Sequence, residues 1–334
     1  MAYNASLNAA RSAKNDEFYT RYEDIEREME AYLAYDPCLF RGKTVLCPCD
    51  DIERSNFARY FSQNFSSLGL AGLAVTSYRA GERGRCFIIG NGFPIYGDTS
   101  RGILTCDGDF RSDEITVLRD YADFVVTNPP FSLFREFIAW CLLAPGKFIC
   151  IGPSYAATYK EIFYSVRQDE IWLGVTHPKQ FIKTNGKAAS FGNISWFTNI
   201  VHGVRQNLLE LRTMEDNLLG NARLRKKLAE SYGEIRYPRY VNYDAIEVPF
   251  VNAIPSDYRK AMGVPTTFLD KYNPDQFEII GTRLELAKPI REVAKPDDQF
   301  QSGGRSFYIR TGAHELTRVY DRIVIRAKSP CLSG

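Results

Sequence analysis

With 334 residues, 45% of them hydrophobic and 25% charged, and a formal net charge of +2, the chain has the make-up of an ordinary soluble protein of enzyme size, with enough apolar material for a large core and two domains. No apolar run approaches the roughly 20 residues that span a bilayer, and the N-terminal stretch MAYNASLNAARSAKNDEFY lacks the apolar centre of a signal peptide. The eight cysteines have no framework spacing, and Cys47, Cys106, Cys141 and Cys150 lie in apolar runs, so reduced thiols in a cytoplasmic protein are expected.

In chain order, NDEFYTRYEDIEREMEAYLAY (15–35) has helical spacing, KTVLCPC (43–49) reads as the first buried strand, and ERSNFARYFSQNF (53–65) as a helix. LAGLAVTSY (70–78) follows as a second strand. Residues 79–100 are rich in Gly and turn signals and predict a hairpin insertion around FII and FPIY. GILTC (102–106) is expected as the third strand, DEITVLRD (113–120) as a helix and DFVVT (123–127) as the fourth strand. LFREFIAWCLL (133–143) returns to helical spacing, KFICIG (147–152) is a fifth strand and YKEIFYSVRQ (159–168) a helix. EIWLGV (170–175) and NISWFTNI (193–200) complete the set. Seven strands, with helices between the first five and a closing hairpin, predict a doubly wound α/β sheet.

Open sheets of this kind bind ligands at the carboxyl ends of their strands. Polar residues stand at three of those ends: Cys49-Asp50-Asp51 after the first strand, Asp109-Phe110 after the third, and Asn128-Pro129-Pro130-Phe131 after the fourth. Each also has an ordinary reading. Asp50 or Asp51 could cap the helix that follows, and Asp109 could be a turn acid beside Gly108. Trp196 in SFGNISWFTNI (190–200) fits either a pocket wall or the sheet core, because alternation along Ile194, Trp196 and Thr198 suits both. Cys47-Pro48-Cys49 has the wrong spacing for a metal pair, and His177, His202 and His314 show no ligand spacing. No metal is expected.

Charge is uneven along the chain: residues 1–200 carry 21 Lys and Arg against 23 Asp and Glu, whereas residues 201–334 carry 21 against 17. The basic excess includes Arg223, Arg225, Lys226 and Lys227 in RLRKK (223–227). Such a cluster either tracks phosphates or is a solvated helix face.

The turn after the fourth strand is the strongest chemical signal. Two prolines remove two backbone donors and fix two φ angles, so the strand stops in a rigid extended turn. The sequence NPPF resembles the catalytic motif of amino-group DNA methyltransferases that use S-adenosylmethionine. An exocyclic amino nitrogen of adenine has its lone pair delocalised into the ring. Two rigid acceptors, the Asn128 side-chain oxygen and the Pro129 carbonyl, can take its two N–H groups and favour a more nucleophilic, tetrahedral nitrogen. Phe131 offers a ring on which an extruded base can stack.

Further blocks extend the likeness. DEFYTRYEDIEREM (16–29), CDD with SNF (49–57), DGDFRS (107–112), VVTNPPFSLF (125–134), NYDAIEV (242–248) and MGVPTTFLDKYNPDQFEIIG (262–281) together resemble the EcoRI-type adenine-specific DNA methyltransferases. The resemblance implies a seven-stranded, doubly wound class I S-adenosylmethionine-dependent methyltransferase fold over residues 1–204 and a C-terminal DNA-recognition region over 205–334. It implies N6-adenine methylation of double-stranded DNA in a restriction–modification system or a phage counterpart, by a cytoplasmic monomer. A cognate restriction endonuclease is a candidate second partner. Carried over by position, Tyr19 and Thr20 contact the methionine part of the cofactor. Cys47, Pro48, Cys49, Asp50 and Asp51 form the first-strand loop. Asp109 bonds the cofactor's adenine amino group and Phe110 covers a face of its ring. Asn128, Pro129, Pro130 and Phe131 form the catalytic turn beside it. Phe131 is the base-stacking ring, and Trp196, on the reading of its own strand, is the candidate second wall of the base pocket. The loop departs from the usual pattern, with acids where related enzymes place glycines. The second strand ends in Tyr78 rather than a ribose-binding acid. Rival readings are an RNA or protein amino-group methyltransferase and an inactive methylase-like DNA-binding protein.

Overall fold

A computed structural model describes residues 18–94, 102–183, 188–190, 192–301 and 303–328. Contacts between Cα atoms divide the chain into two units, Met1–Gly203 and Val204–Gly334.

The first unit is built on a seven-stranded sheet. Its strands are β2 (Thr44–Cys47), β3 (Gly72–Ser77), β4 (Arg85–Gly90), β5 (Phe124–Thr127), β6 (Lys147–Pro153), β7 (Trp172–Leu173) and β10 (Ile194–Thr198), in the spatial order β4-β3-β2-β5-β6-β10-β7. β3, β2, β5 and β6 run parallel, while β4 and β10 pair antiparallel with β3 and β6. β2, β3 and β5 are buried along their whole length, as continuous Val, Leu and Phe runs require when helices cover both faces. The covering helices are α1 (Tyr22–Tyr35), α2 (Asn56–Gln63), α3 (Asp113–Tyr121), α4 (Phe134–Leu142) and α5 (Lys160–Arg167). One apolar cluster joins Ile25, Met29 and Tyr32 of α1 and Phe57 and Phe61 of α2 to Val45, Val75, Val126 and Ile151 of the sheet.

Two expectations are corrected. The helix expected over 15–35 begins only at Tyr22. Phe18–Thr20 forms β1, paired antiparallel with β8 (Gln180–Lys183), which continues to β9 (Ala188–Ser190). Phe, Tyr and Thr favour extended backbone, and the acids Glu23 and Asp24 suit a first helical turn placed just after them. Residues 15–17 lie outside the described residues. The third strand is not 102–106 but β4, and Ile103 makes only an isolated bridge to Arg85. A short hairpin lets Arg85–Gly90 reach the β3 edge first, whereas 102–106 arrives after a longer excursion. The expected insertion thus supplies an edge strand; residues 95–96 of FPIY lie outside the described residues.

The second unit contains two sheets. One runs β11 (Ile246–Glu247), β12 (Met262–Pro265), β17 (Arg322–Ala327) and β13 (Phe277–Thr282); the other runs β14 (Gln299–Phe300), β16 (Glu315–Arg318) and β15 (Tyr308–Arg310). Its helices include α6 (Met214–Gly220) and α7 (Ala222–Tyr232). Among the described residues, no helix is long and apolar enough to cross a membrane.

Candidate active site

The loop after β2 is tied to both neighbouring strands. The Asp50 amide donates to the Thr76 carbonyl at 3.0 Å, and the Thr76 hydroxyl donates to the Pro48 carbonyl at 3.1 Å. The Asp50 carboxylate is buried. It accepts the Ser55 hydroxyl at 2.5 Å and the Thr127 hydroxyl at 2.7 Å. Ser55 in turn caps α2, accepting from the Phe57 and Ala58 amides. Asp50 is therefore not the cap itself; it clamps the capping serine to the last residue of β5, immediately before Asn128. Asp51 is half-buried and its carboxylate accepts the Glu53 amide at 2.9 Å. Pro48 is buried and Cys49 half-buried. The Cys47 side chain is fully buried in the core cluster, so it can offer a ligand only its backbone.

Burial pushes the Asp50 carboxyl up to about 6, against the opposing pull of its two hydroxyl partners. A group whose folded value lies above its unfolded value near 3.8 adds stability that is fully present below pH 4 and is lost as pH rises through about 6. Relative to Asp50→Asn, the wild type should therefore lose up to about 3 kcal/mol of unfolding free energy between pH 4 and pH 8. Urea midpoints of the two proteins across that range test this, and a constant difference would contradict it.

The N-terminal block reaches the same place. Asn56, at the start of α2, donates its side-chain amide to the Thr20 carbonyl at 2.7 Å. The Thr20 hydroxyl is buried and finds no hydrogen-bond partner among the described residues, a polar atom prepared for an outside partner. Tyr19 precedes it, half-buried, in register with Ile182.

The 107–111 loop abuts the end of β3. Gly108 has φ +85°, and a Cβ there would lie 2.3 Å from the Ser77 carbonyl oxygen, so this approach needs glycine. Asp109 is held by Arg111 through its backbone amide (2.9 Å), Nε (2.9 Å) and Nη2 (2.6 Å), while Arg111 Nη1 donates to Glu136 at 2.8 Å. These bonds from Arg111 keep the Asp109 carboxyl below the usual carboxylate range. Phe110 is buried, edge-on to Phe137 and Trp140 of α4 at 5.2 and 5.5 Å. These contacts anchor the loop on α4.

Asn128 follows β5 directly, half-buried, with Pro129 buried and Pro130 at φ −59° and ψ 124°. A 3₁₀ turn, Phe131–Leu133, leads into α4. Phe131 is half-buried against the core cluster. Gly152 of β6 runs so close to α4 that a Cβ would fall 2.2 Å from the Phe134 ring.

Trp196 is the clear misassignment. It is fully buried, its ring stands edge-on to Phe57 at 6.0 Å, and its indole N–H donates to the Thr176 hydroxyl at 3.0 Å. A ring without an exposed face cannot stack an extruded base. Every residue of β10 is buried, so alternation carried no information about which face meets a ligand.

The basic cluster lies on α7. Arg225 donates through Nη1 to the Leu218 carbonyl at 2.9 Å and to the Leu219 carbonyl, closing the end of α6. Arg223 lies over the Phe250 ring at 4.4 Å. Lys226 pairs with Glu230 at 3.8 Å, and Lys226 and Lys227 are both exposed.

Thr127, Ser55, Asn56 and Arg111 were not legible as site residues beforehand. Ser55 carried a helix-cap signal, but the partners of the other three lie far away in sequence or depend on a turn geometry that spacing does not encode. Among the described residues, no group of three or more His, Cys, Asp or Glu could hold a metal ion.

A family profile described as "Adenine-specific methyltransferase EcoRI" matches residues 6–328. The chain is 38% identical to the Type II methyltransferase M.EcoRI of Escherichia coli, with 84% of this chain and 90% of that protein covered. It is 36% identical to the Type II methyltransferase M.MpnI of Mycoplasma pneumoniae, covering 96% and 98%. A third relative, the Type II methyltransferase M.MgeORF184P of Mycoplasma genitalium, is 33% identical over 82% and 85%. No solved structure matches.

Proposed function

We propose that this chain, which belongs to the EcoRI family of adenine-specific methyltransferases, moves a methyl group from S-adenosylmethionine to the N6 amino group of an adenine extruded from duplex DNA, as the modification enzyme of a restriction–modification system. The observation that carries this reading is the rigid Asn128-Pro129-Pro130-Phe131 turn at the carboxyl end of β5, clamped through Thr127 to the buried Asp50 of the first-strand loop.

The residues present fit the cofactor. The Thr20 hydroxyl is buried and awaits a partner, and Asp50 and Asp51 give the first loop the negative character that suits a sulfonium cation. Tyr19, Thr20, the backbone of Cys47, the Pro48–Asp51 loop and Asp109 would hold it. S-adenosylmethionine, when bound, supplies a methyl group on a positively charged sulfur. The chain's own work is positional. Asn128 and the Pro129 carbonyl take the amino N–H groups, the prolines keep those acceptors from relaxing, and Phe131 meets the base. A seven-stranded sheet with a mostly parallel centre supports the class I reading of residues 1–204, and residues 205–334 are the target-recognition region. Double-stranded DNA is the partner, with a cognate endonuclease as the second and a cytoplasmic monomer as the working form.

Incubation with tritiated S-adenosylmethionine and duplex DNA, followed by nucleoside digestion, should yield labelled N6-methyladenosine of the deoxy series. Label appearing only in RNA or protein would overturn the proposal. For the recognition region, Lys226→Ala combined with Lys227→Ala should lower the slope of log affinity against log salt by about two and weaken cognate and random duplex alike. An unchanged slope would return α7 to the status of a solvated helix face.

A further inference from the structure

A base taken out of a duplex is held best between two rings, and the burial of Trp196 leaves the second ring to be found. Two exposed aromatic rings in the first unit lie just past the carboxyl ends of the parallel strands: Tyr78, 54% exposed, after β3, and Tyr155, 56% exposed, after β6. They stand on opposite sides of β5, because the order β3-β2-β5-β6 puts β2 and β3 on one side and β6 on the other. The acids and the Thr20 hydroxyl belong to the β2 side, so Tyr78 borders the cofactor region. β6 pairs with β5 up to Thr127 and Cys150 and runs on to Pro153, past the end of β5 at which the Asn128–Pro130 turn begins.

Tyr155 is also unusually well held for an exposed residue. Its neighbour Ser154 donates its amide to the Asn193 carbonyl at 2.8 Å and shares a 2.7 Å hydrogen bond with the Ser195 hydroxyl. Ala156 and Ala157, which follow, are buried. The Tyr155 carbonyl accepts the Thr158 hydroxyl at 2.7 Å. The ring itself meets Tyr159 edge-on at 5.6 Å, and Arg135 of α4 lies over Tyr159 at 5.2 Å. A large apolar ring fixed in the open loses little further freedom when a partner stacks on it.

We propose that Tyr155 is the second stacking wall for the extruded adenine, opposite Phe131. The proposal rests on the methyltransferase reading and names a residue that reading does not require. The ring, not the hydroxyl, does the stacking, so Tyr155→Phe keeps the function and Tyr155→Ala and Tyr155→Leu lose it. With base stacking worth about 1–3 kcal/mol, Tyr155→Ala should lower kcat/KM by roughly 5- to 150-fold.

The test uses the full chain and a duplex with 2-aminopurine in place of the adenine that the wild type methylates. Expected are a several-fold rise in 2-aminopurine fluorescence in the Tyr155→Ala and Tyr155→Leu complexes over the wild-type complex, wild-type behaviour of Tyr155→Phe, and unchanged S-adenosylmethionine affinity in all three. Wild-type fluorescence and a kcat/KM within twofold in Tyr155→Ala and Tyr155→Leu would overturn the assignment while leaving the methyltransferase reading intact. A wild-type enzyme that methylates no adenine would instead overturn that reading, and the assignment with it.

Discussion

Asn128→Ala should slow methyl transfer by about 10² to 10³ while S-adenosylmethionine affinity stays within about twofold. Loss of one preorganised acceptor at a reacting centre has an effect of that size. The split between the two readouts follows from the geometry. Asn128 stands at the end of β5, and its position is fixed from below: Thr127 is bonded to buried Asp50, and Pro129 and Pro130 restrict the chain above. Removal of the side chain therefore leaves these restraints on the turn in place and subtracts the acceptor. Asn128→Gln, which keeps the amide but shifts it by one methylene, should recover little, because an acceptor misplaced by about 1 Å loses most of its advantage. Single-turnover rates with saturating duplex, set beside calorimetric cofactor titrations, measure both quantities. A variant that turns over near the wild-type rate would remove Asn128 from the chemistry.

The central strands, their order along the chain and the NPPF turn were legible because each depends on local physics. A continuous Val and Phe run bounded by proline can be little else than a buried parallel strand with a rigid end. What stayed hidden depends on contacts between residues far apart in sequence. Asp50 and Thr127 are 77 positions apart and meet only because β2 and β5 are neighbours. The choice of Arg85–Gly90 over 102–106 as the edge strand turned on loop length rather than on composition, since both stretches are short and apolar. β1 was lost in a helical pattern because three residues of β-favouring type preceded a helix without a break. Trp196 was ambiguous for a different reason: a strand buried on both faces carries no alternation to read. Similarly, the four cations in RLRKK looked equivalent, yet Arg225 turns back onto the end of α6.

The family blocks of the second half have a structural meaning that bears on stability. NYDAIEV (242–248) contributes Asn242, whose side-chain amide donates to the Lys288 and Ser306 carbonyls at 2.8 Å each, and Glu247 of β11. Glu247 is fully buried. Its carboxylate accepts Arg322 through Nε at 3.0 Å and Nη2 at 2.6 Å, the Tyr240 hydroxyl at 2.5 Å and the Tyr232 hydroxyl at 3.3 Å. Arg322 opens β17, and β12 lies between β11 and β17 in the sheet, so this one carboxylate braces three strands and the end of α7.

Arg322→Ala should accordingly destabilise the second unit by about 3–5 kcal/mol, because it leaves the buried Glu247 carboxylate without its ion partner. The two tyrosine hydroxyls cannot make good the loss, since both are neutral donors and burial beside Glu247 holds both phenols protonated. The size of the effect reflects the orphaned carboxylate more than the worth of the pair. A double replacement, Arg322→Met with Glu247→Leu, removes both charges and should cost distinctly less than Arg322→Ala alone, even though it deletes more polar contacts. Guanidinium unfolding of the wild type, Arg322→Met, Glu247→Leu and the double variant closes the cycle, with Arg322→Ala measured beside them. A loss below about 1 kcal/mol for Arg322→Ala, or a double variant weaker than either single one, would mean that Glu247 is relieved by water or by protonation and that the brace across β11, β12 and β17 lies elsewhere.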